Sequence, residues 1–189
     1  MTVLELISEH IKMTPELLEV ITQNVVIENH KKGTTLLQEG DVCRKLYFVE
    51  KGMIRFFYTN EEGKDITHWF APEQSFLTEV VSFFNQTDSE YYIETLEDST
   101  LLTLTLDSLN YLLDNFPELE KFGRIFSLNM AVQFGEKVID LQFRTAQVRY
   151  NLLIEKHPDI LQRASLGHIA SFLGITQQSL SRIRSSKKY

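Results

Sequence analysis

The twenty residues from Leu166 to Ser185, LGHIASFLGITQQSLSRIRS, constrain this chain more than any other stretch. Counting Leu166 as the first, the fifth residue is Ala170 and the ninth is Gly174. A small fifth residue lets two helices cross closely, and a glycine at the ninth accepts the positive φ of a tight turn between them. Ile169, Leu173, Ile175, Leu180 and Ile183 recur at the spacing that packs such a pair together. The pattern predicts a helix-turn-helix whose second helix, over about 176–187, is capped by Thr176. Its other face carries Gln177, Gln178, Ser179, Ser181 and Arg182, side chains suited to bonding base edges and phosphates. An ordinary helical hairpin closing a globular domain would show the same apolar spacing.

Charge distinguishes the two. Between Arg144 and Tyr189, eight basic residues (Arg144, Arg149, Lys156, Arg163, Arg182, Arg184, Lys187 and Lys188) stand against Glu155 and Asp159 alone. This segment therefore carries +6 and the rest of the chain −13, although the whole is −7. Read as one number the charge argues against nucleic acid; read by region it favours a DNA partner at the C-terminal end.

With 189 residues, 43% of them hydrophobic, the chain suits one medium domain and a small second one. Its N-terminus alternates apolar and charged residues like an amphipathic helix and lacks the basic start and unbroken apolar run of a secretory signal. No membrane span is expected. Cys43 is the only cysteine, which excludes an intrachain disulfide and a cysteine-bound iron–sulfur cluster and fits a reducing, cytoplasmic setting. The histidines at 10, 30, 68, 157 and 168 show no metal-ligand spacing, so neither a metal nor a catalytic centre is expected.

Residues 3–23 read as short helices, with Thr14 and Pro15 as cap and first turn. From Val25 to Ser75, glycine-centred turns at Gly33, Gly40, Gly52 and Gly63 separate short β-rich runs, the pattern of a small sandwich or barrel. Phe76 to Asn85 reads as a brief helix or loop inserted into that unit; strands return at 91–95 and 100–106, and Asp107 is expected to cap a helix through Leu113. Pro117 opens a long helix to about Phe143. Its stripe of Phe122, Ile125, Phe126, Asn129 and Val132 suits a dimer seam and equally suits packing on the chain's own β unit. A further helix over Arg144 to Lys156 ends at His157-Pro158. The expected fold is α+β: an antiparallel β-roll of jelly-roll type with flanking helices over 1–113, a long connecting and dimerisation helix over 114–143, and a helix-turn-helix domain over 144–189.

Lys32-Gly33, Leu36, Glu39-Gly40-Asp41, Leu46-Tyr47-Phe48-Val49 and Lys51-Gly52-Met53-Ile54-Arg55, followed by a long helix and a basic helix-turn-helix, resemble the Crp/Fnr family of bacterial transcription regulators over essentially the whole chain. The resemblance implies a cyclic-nucleotide-binding-like sensor, a homodimer, double-stranded DNA as ligand and RNA polymerase as a further partner, with one recognition helix per subunit in the major groove. Carried over residue by residue, Gln177, Gln178 and Arg182 fall on base-reading positions, with Thr176, Ser179 and Ser181 beside them and Lys187 as a phosphate contact. No β-wing is expected after the recognition helix. The nucleotide pocket departs from the family pattern. Glu79 fits the ribose-binding position, but Thr78 replaces the glycine before it, Ser89 stands where the phosphate-gripping arginine belongs, and Glu90 adds negative charge. A phosphate needs charge-assisted donors, so cyclic AMP is not the expected ligand. Either another small molecule binds near Phe70, Phe76, Glu79 and Tyr91, or the roll is a scaffold.

Two other function classes compete with this one. A ligand-sensing or protein-interaction module with a degenerate helix-turn-helix would suit the acidic bulk. A metal-dependent β-roll enzyme of cupin type would need a histidine cluster, for which the strands offer only His68.

Overall fold

The computed structural model describes residues 2–186; Lys187 and the last two residues lie outside them. Helices α1 (Val3–Ser8) and α2 (Pro15–Asn24) lead into eight strands: β1 (Val26–His30), β2 (Thr35–Leu37), β3 (Leu46–Lys51), β4 (Ile54–Thr59), β5 (Asp65–Ala71), β6 (Phe76–Leu77), β7 (Tyr92–Thr95) and β8 (Ser99–Leu104), with α3 (Val80–Asn85) between β6 and β7. Then follow α4 (Leu106–Asn115), α5 (Pro117–Phe143), α6 (Ala146–Lys156), α7 (Ile160–Arg163), α8 (Leu166–Phe172) and α9 (Gln177–Ser186).

The strands form two antiparallel four-stranded sheets, ordered β1-β8-β3-β6 and β2-β7-β4-β5. Crossing between sheets at nearly every turn makes the roll. Alternation along β8 buries Ser99, Leu101 and Thr103, and Val49, Ile54, Phe83, Ile93 and Leu101 meet as the dry centre. At the β3–β4 turn Gly52 has φ +95°, and a Cβ there would lie 2.3 Å from Ser99 Oγ. Only glycine fits that close approach.

Several helix starts have a sequence reason. Thr14 caps α2 with Pro15 in its first turn, Thr145 caps α6 and Ser165 caps α8. Asp107, expected as the cap of α4, lies in its first turn; the cap is Thr105, whose Oγ1 accepts from Ser108 N at 3.2 Å. A carboxylate inside the first turn still complements the helix dipole, which is why the two positions read alike in sequence.

Val3, Ile7, Leu17 and Ile21 from the N-terminal helices pack with Phe48, Leu112 and Leu119. A third core lies between the roll and the C-terminal helices. Met53, Phe70 and Leu96 come from the roll; Tyr150, Leu153, Ile160, Ile169, Ala170, Leu173 and Leu180 come from α6 to α9. The seam is closed by polar bonds: Thr67 N donates to Ser171 Oγ at 3.1 Å, which donates to Thr67 Oγ1 at 3.0 Å. Arg163, 15% exposed at its side chain, bonds Glu73 at 2.9 Å, Asp159 at 3.1 Å and Glu97 at close range. Glu73 in turn accepts from the amide of Gly52 at 2.8 Å.

Arg163→Met keeps the stem but leaves the carboxylates of Glu73 and Glu97 without their cation. With solvent screening of these partly exposed groups, the expected loss is about 2 kcal/mol, read as a lower urea midpoint. Burial raises the pKa of Glu73, but the hydrogen bonds from Arg163 and Gly52 outweigh it and hold the carboxyl below its ordinary 4.5. The stabilisation is therefore complete above that value and disappears as pH falls through the lowered one, so wild type and Arg163→Met should converge in acid.

Candidate nucleic-acid interface and sensor pocket

The helix-turn-helix is built as its spacing requires. Gly174 takes φ +66° between α8 and α9, Ile175 N reaches back to Ala170 O at 3.0 Å, and Ala170 is 2% exposed at the helix crossing. Thr176 caps α9, its Oγ1 accepting from Ser179 N at 3.2 Å. With Ile169, Leu173 and Leu180 turned inward, Gln177, Gln178, Ser181 and Arg182 are left exposed beside Thr176, and Ser179 is half-buried. These six expected DNA contacts therefore share one accessible end of the domain. The seventh, Lys187, is outside the described residues.

Arg149 is the organiser that sequence reasoning missed. Its guanidinium donates to Leu173 O at the end of α8 through Nε at 3.1 Å and Nη2 at 2.8 Å. Through Nη1 it also reaches Arg144 O at 2.6 Å and Asp140 O at 3.3 Å, at the end of α5. One side chain thus satisfies the terminal carbonyls of two helices and fixes the turn of the helix-turn-helix against the long helix. Arg144 pairs with Asp140 at 2.6 Å. With Arg163 also engaged, three of the eight cations behind the +6 segment serve internal contacts, and among the described residues of α9 the exposed positive charge is that of Arg182 and Arg184.

Of the residues expected to line an effector pocket, Phe70 and Phe76 join different cores, while Glu79 and Glu90 lie near enough to Tyr91 for their charges to act on it. Phe70 lies in the seam to the C-terminal helices, its ring 5.2 Å from that of Phe172. Phe76 packs between Phe48 at 4.9 Å and Phe126 at 4.7 Å. Both rings follow the alternation of their strands into cores on opposite sides, a separation that proximity in sequence hides. Thr78 donates to Lys45 O at 2.9 Å. Glu79 is 6% exposed and caps α3, accepting from Val81 N at 3.1 Å and Ser82 N at 2.5 Å. Its carboxylate thus occupies the helix start where an anionic ligand would find its amides. Ser89, 3% exposed, exchanges bonds with the backbone of Tyr91, and Glu90 is exposed.

Tyr91 stacks on Phe56 at 4.5 Å and meets His68 and Tyr58 edge-on at 5.8 and 5.9 Å. Burial raises its phenol pKa, and the charges of Glu90 and Glu79 raise it further. His68 is pulled down to about 4 by burial and then by Lys137, so it is a neutral member of the aromatic cluster at pH 7. Among the described residues no group of His, Cys, Asp and Glu could hold a metal ion, and no helix is long and apolar enough to cross a membrane.

On α5 the expected stripe divides. Phe122 and Phe126 stack on each other at 6.2 Å and on Phe76, against the chain's own roll, and Ile125 is half-buried. Asn129 and Val132 face solvent, and Val132 shares its exposure with Leu128 and Ile139. The helix is apolar on two sides.

Residues 27–116 match the cyclic nucleotide-binding domain family. Over 181 residues the chain is 22% identical to the cAMP-activated global transcriptional regulator CRP of Salmonella typhimurium, covering 90% of this chain and 86% of that protein. Its fold matches FixK2 of Bradyrhizobium japonicum with a TM-score of 0.74 at 15% identity, covering 86% of this chain and 83% of the other. It also matches a putative Crp/Fnr-family regulator of Eubacterium rectale with a TM-score of 0.69 at 16% identity, covering 92% and 83%. The chain shares the fold of these proteins. Set beside the pattern that the sequence resemblance implies, the buried serine at position 89 and the capping of α3 by Glu79 stand out.

Glu79→Ala should lower stability by about 1 kcal/mol through loss of the α3 cap, measured by urea denaturation. Calorimetry with cyclic AMP should give no binding heat for either protein.

Proposed function

We propose that this chain is a DNA-binding transcription regulator acting as a homodimer, each subunit reading half of a palindromic site with α9. The observation that carries the reading is the coexistence of a tightly built helix-turn-helix with an exposed polar face of Thr176, Gln177, Gln178, Ser181 and Arg182. A hairpin kept only for packing has no need of two glutamines and an arginine without an ion-pair partner among the described residues at the open end of its second helix. Kinship with CRP, a transcription regulator by name, supports the same reading. The organisation proposed is a sensor over 1–113, a linking helix over 114–143 and a DNA-binding unit over 144–189, in the cytoplasm, with RNA polymerase as a further partner.

Leu128, Val132 and Ile139 stand four and seven residues apart on the open side of α5, with Gly135 completing the alternating spacing of a two-helix seam. Pairing of two such helices would carry the two recognition helices on one body, as a palindrome requires. Val132→Asp should convert the dimer to monomer in sedimentation equilibrium and greatly weaken operator binding, leaving the circular dichroism spectrum of the folded chain intact.

Arg182 suits guanine through two hydrogen bonds, and either glutamine suits adenine. Selecting genomic fragments with purified protein should enrich a two-fold symmetric sequence. Arg182→Ala should then lose about 1–3 kcal/mol of discrimination at one base pair in each half-site, while its binding to random DNA changes little. Enrichment of no sequence over random DNA would favour the protein-interaction reading instead.

A further inference from the structure

The roll has filled its own interior: Glu79 bonds the start of α3, and Tyr91, Phe56 and His68 stack where the sheets face one another. A separate open space lies outside the roll. A cleft of about 560 Å³ runs between the end of β5, the C-terminal half of α5, and helices α6 and α8. That volume is typical of small-molecule sites, and its position at the meeting of two units is a common one for them.

The walls define a chemistry. Trp69, Phe70 and Phe172 supply aromatic surface, and Leu141 and Leu153 extend it. Lys137 enters between the rings, its ammonium 4.2 Å from the centroid of Phe172 and 5.4 Å from that of Trp69. It donates to the carbonyl of His68. Among the described residues no carboxylate pairs with it; those on the cleft's lining are Glu136, Asp140 and Glu155, and Asp140 is taken by Arg144. Two ring faces and one carbonyl are partial compensation for a cation withdrawn from water, and a buried charge without a counter-ion is costly. Burial pulls the Lys137 pKa down to about 8, in keeping with that cost. An anion delivered on an apolar body would restore the missing partner and cover the rings at once.

We propose that this cleft binds a small organic carboxylate with an aromatic or aliphatic body, its anion on the Lys137 ammonium and its apolar part against Trp69 and Phe172. The site touches all three parts of the chain: β5 through Trp69, α5 through Lys137, and α8 through Phe172. An occupant would therefore bear on how the helix-turn-helix is held against the roll. That consequence rests on the regulator reading above; the binding itself does not.

Trp69 is the only tryptophan in the chain, so its fluorescence reports this cleft alone. Excited at the red edge of tryptophan absorption, the full-length protein should give a saturable change with 4-phenylbutyrate. The affinity should be at least about tenfold greater than for 4-phenylbutan-1-ol, the difference expected of one charge-assisted contact. In Lys137→Met, which keeps the stem against the rings, acid and alcohol should bind alike. Lys137→Arg, tested alongside, should retain a preference for the acid and guards against misfolding of the first variant. Equal affinities in the wild type, an unchanged preference in Lys137→Met or no saturable signal would each overturn the proposal. Operator binding measured separately tells the two readings apart: a lysine-dependent preference without DNA binding leaves the cleft and removes the regulator, and the reverse result leaves the regulator and removes the cleft.

Discussion

The architecture depends on one guanidinium. Arg163 closes α7 and inserts its side chain between Glu73, after β5, and Glu97, between β7 and β8, while Glu73 holds the amide of Gly52 at the β3–β4 turn. Four segments far apart in sequence are tied at a single point. The apolar seam of Met53, Phe70 and Leu96 against the C-terminal helices then has a fixed register, because ion pairs are directional and hydrophobic contact is not. With Arg149 gripping the ends of α5 and α8, the helix-turn-helix is oriented by two arginines that lie apart from the exposed polar residues of α9.

The two arginines also alter the meaning of the segment's charge. A count of +6 suggests a broad positive field, but a cation committed to carboxylates or carbonyls contributes little to it. Among the described residues of this segment, the exposed cations not engaged in such contacts are Lys156 on α6 and Arg182 and Arg184 on α9. Under the proposed DNA-binding reading, such a surface would rely more on directed contacts than on bulk attraction, and pairing of two subunits would accumulate affinity.

Local chemistry was legible in the sequence, and long-range chemistry was not. The cap and first turn of α2, the glycine turns of the roll, the extent of α5 from Pro117 to Phe143 and the crossing of α8 with α9 follow from neighbouring residues whose conformational preferences agree. Ser89 stands where the resemblance implies an arginine, a difference that one position is enough to show. Phe70 and Phe76 were grouped because they are six residues apart, yet the turn between β5 and β6 sends them into different cores. Arg163 carried only the weak signal of Asp159 one helical turn earlier; its main partners are 66 and 90 residues away. Lys137 looks in sequence like an ordinary charged helix position, since nothing local predicts that Trp69 and Phe172 will close around it.

The seam between roll and helices is a third hydrophobic core in its own right, to which Ile160, Ile169 and Leu180 contribute as fully buried residues. Halves that share a core cannot be exchanged like beads on a string. A chimera joining this roll to the DNA-binding unit of a distant relative would have to rematch Met53, Phe70 and Leu96 with the incoming side chains. Co-variation across this boundary, more than within either half, is what heredity should have preserved.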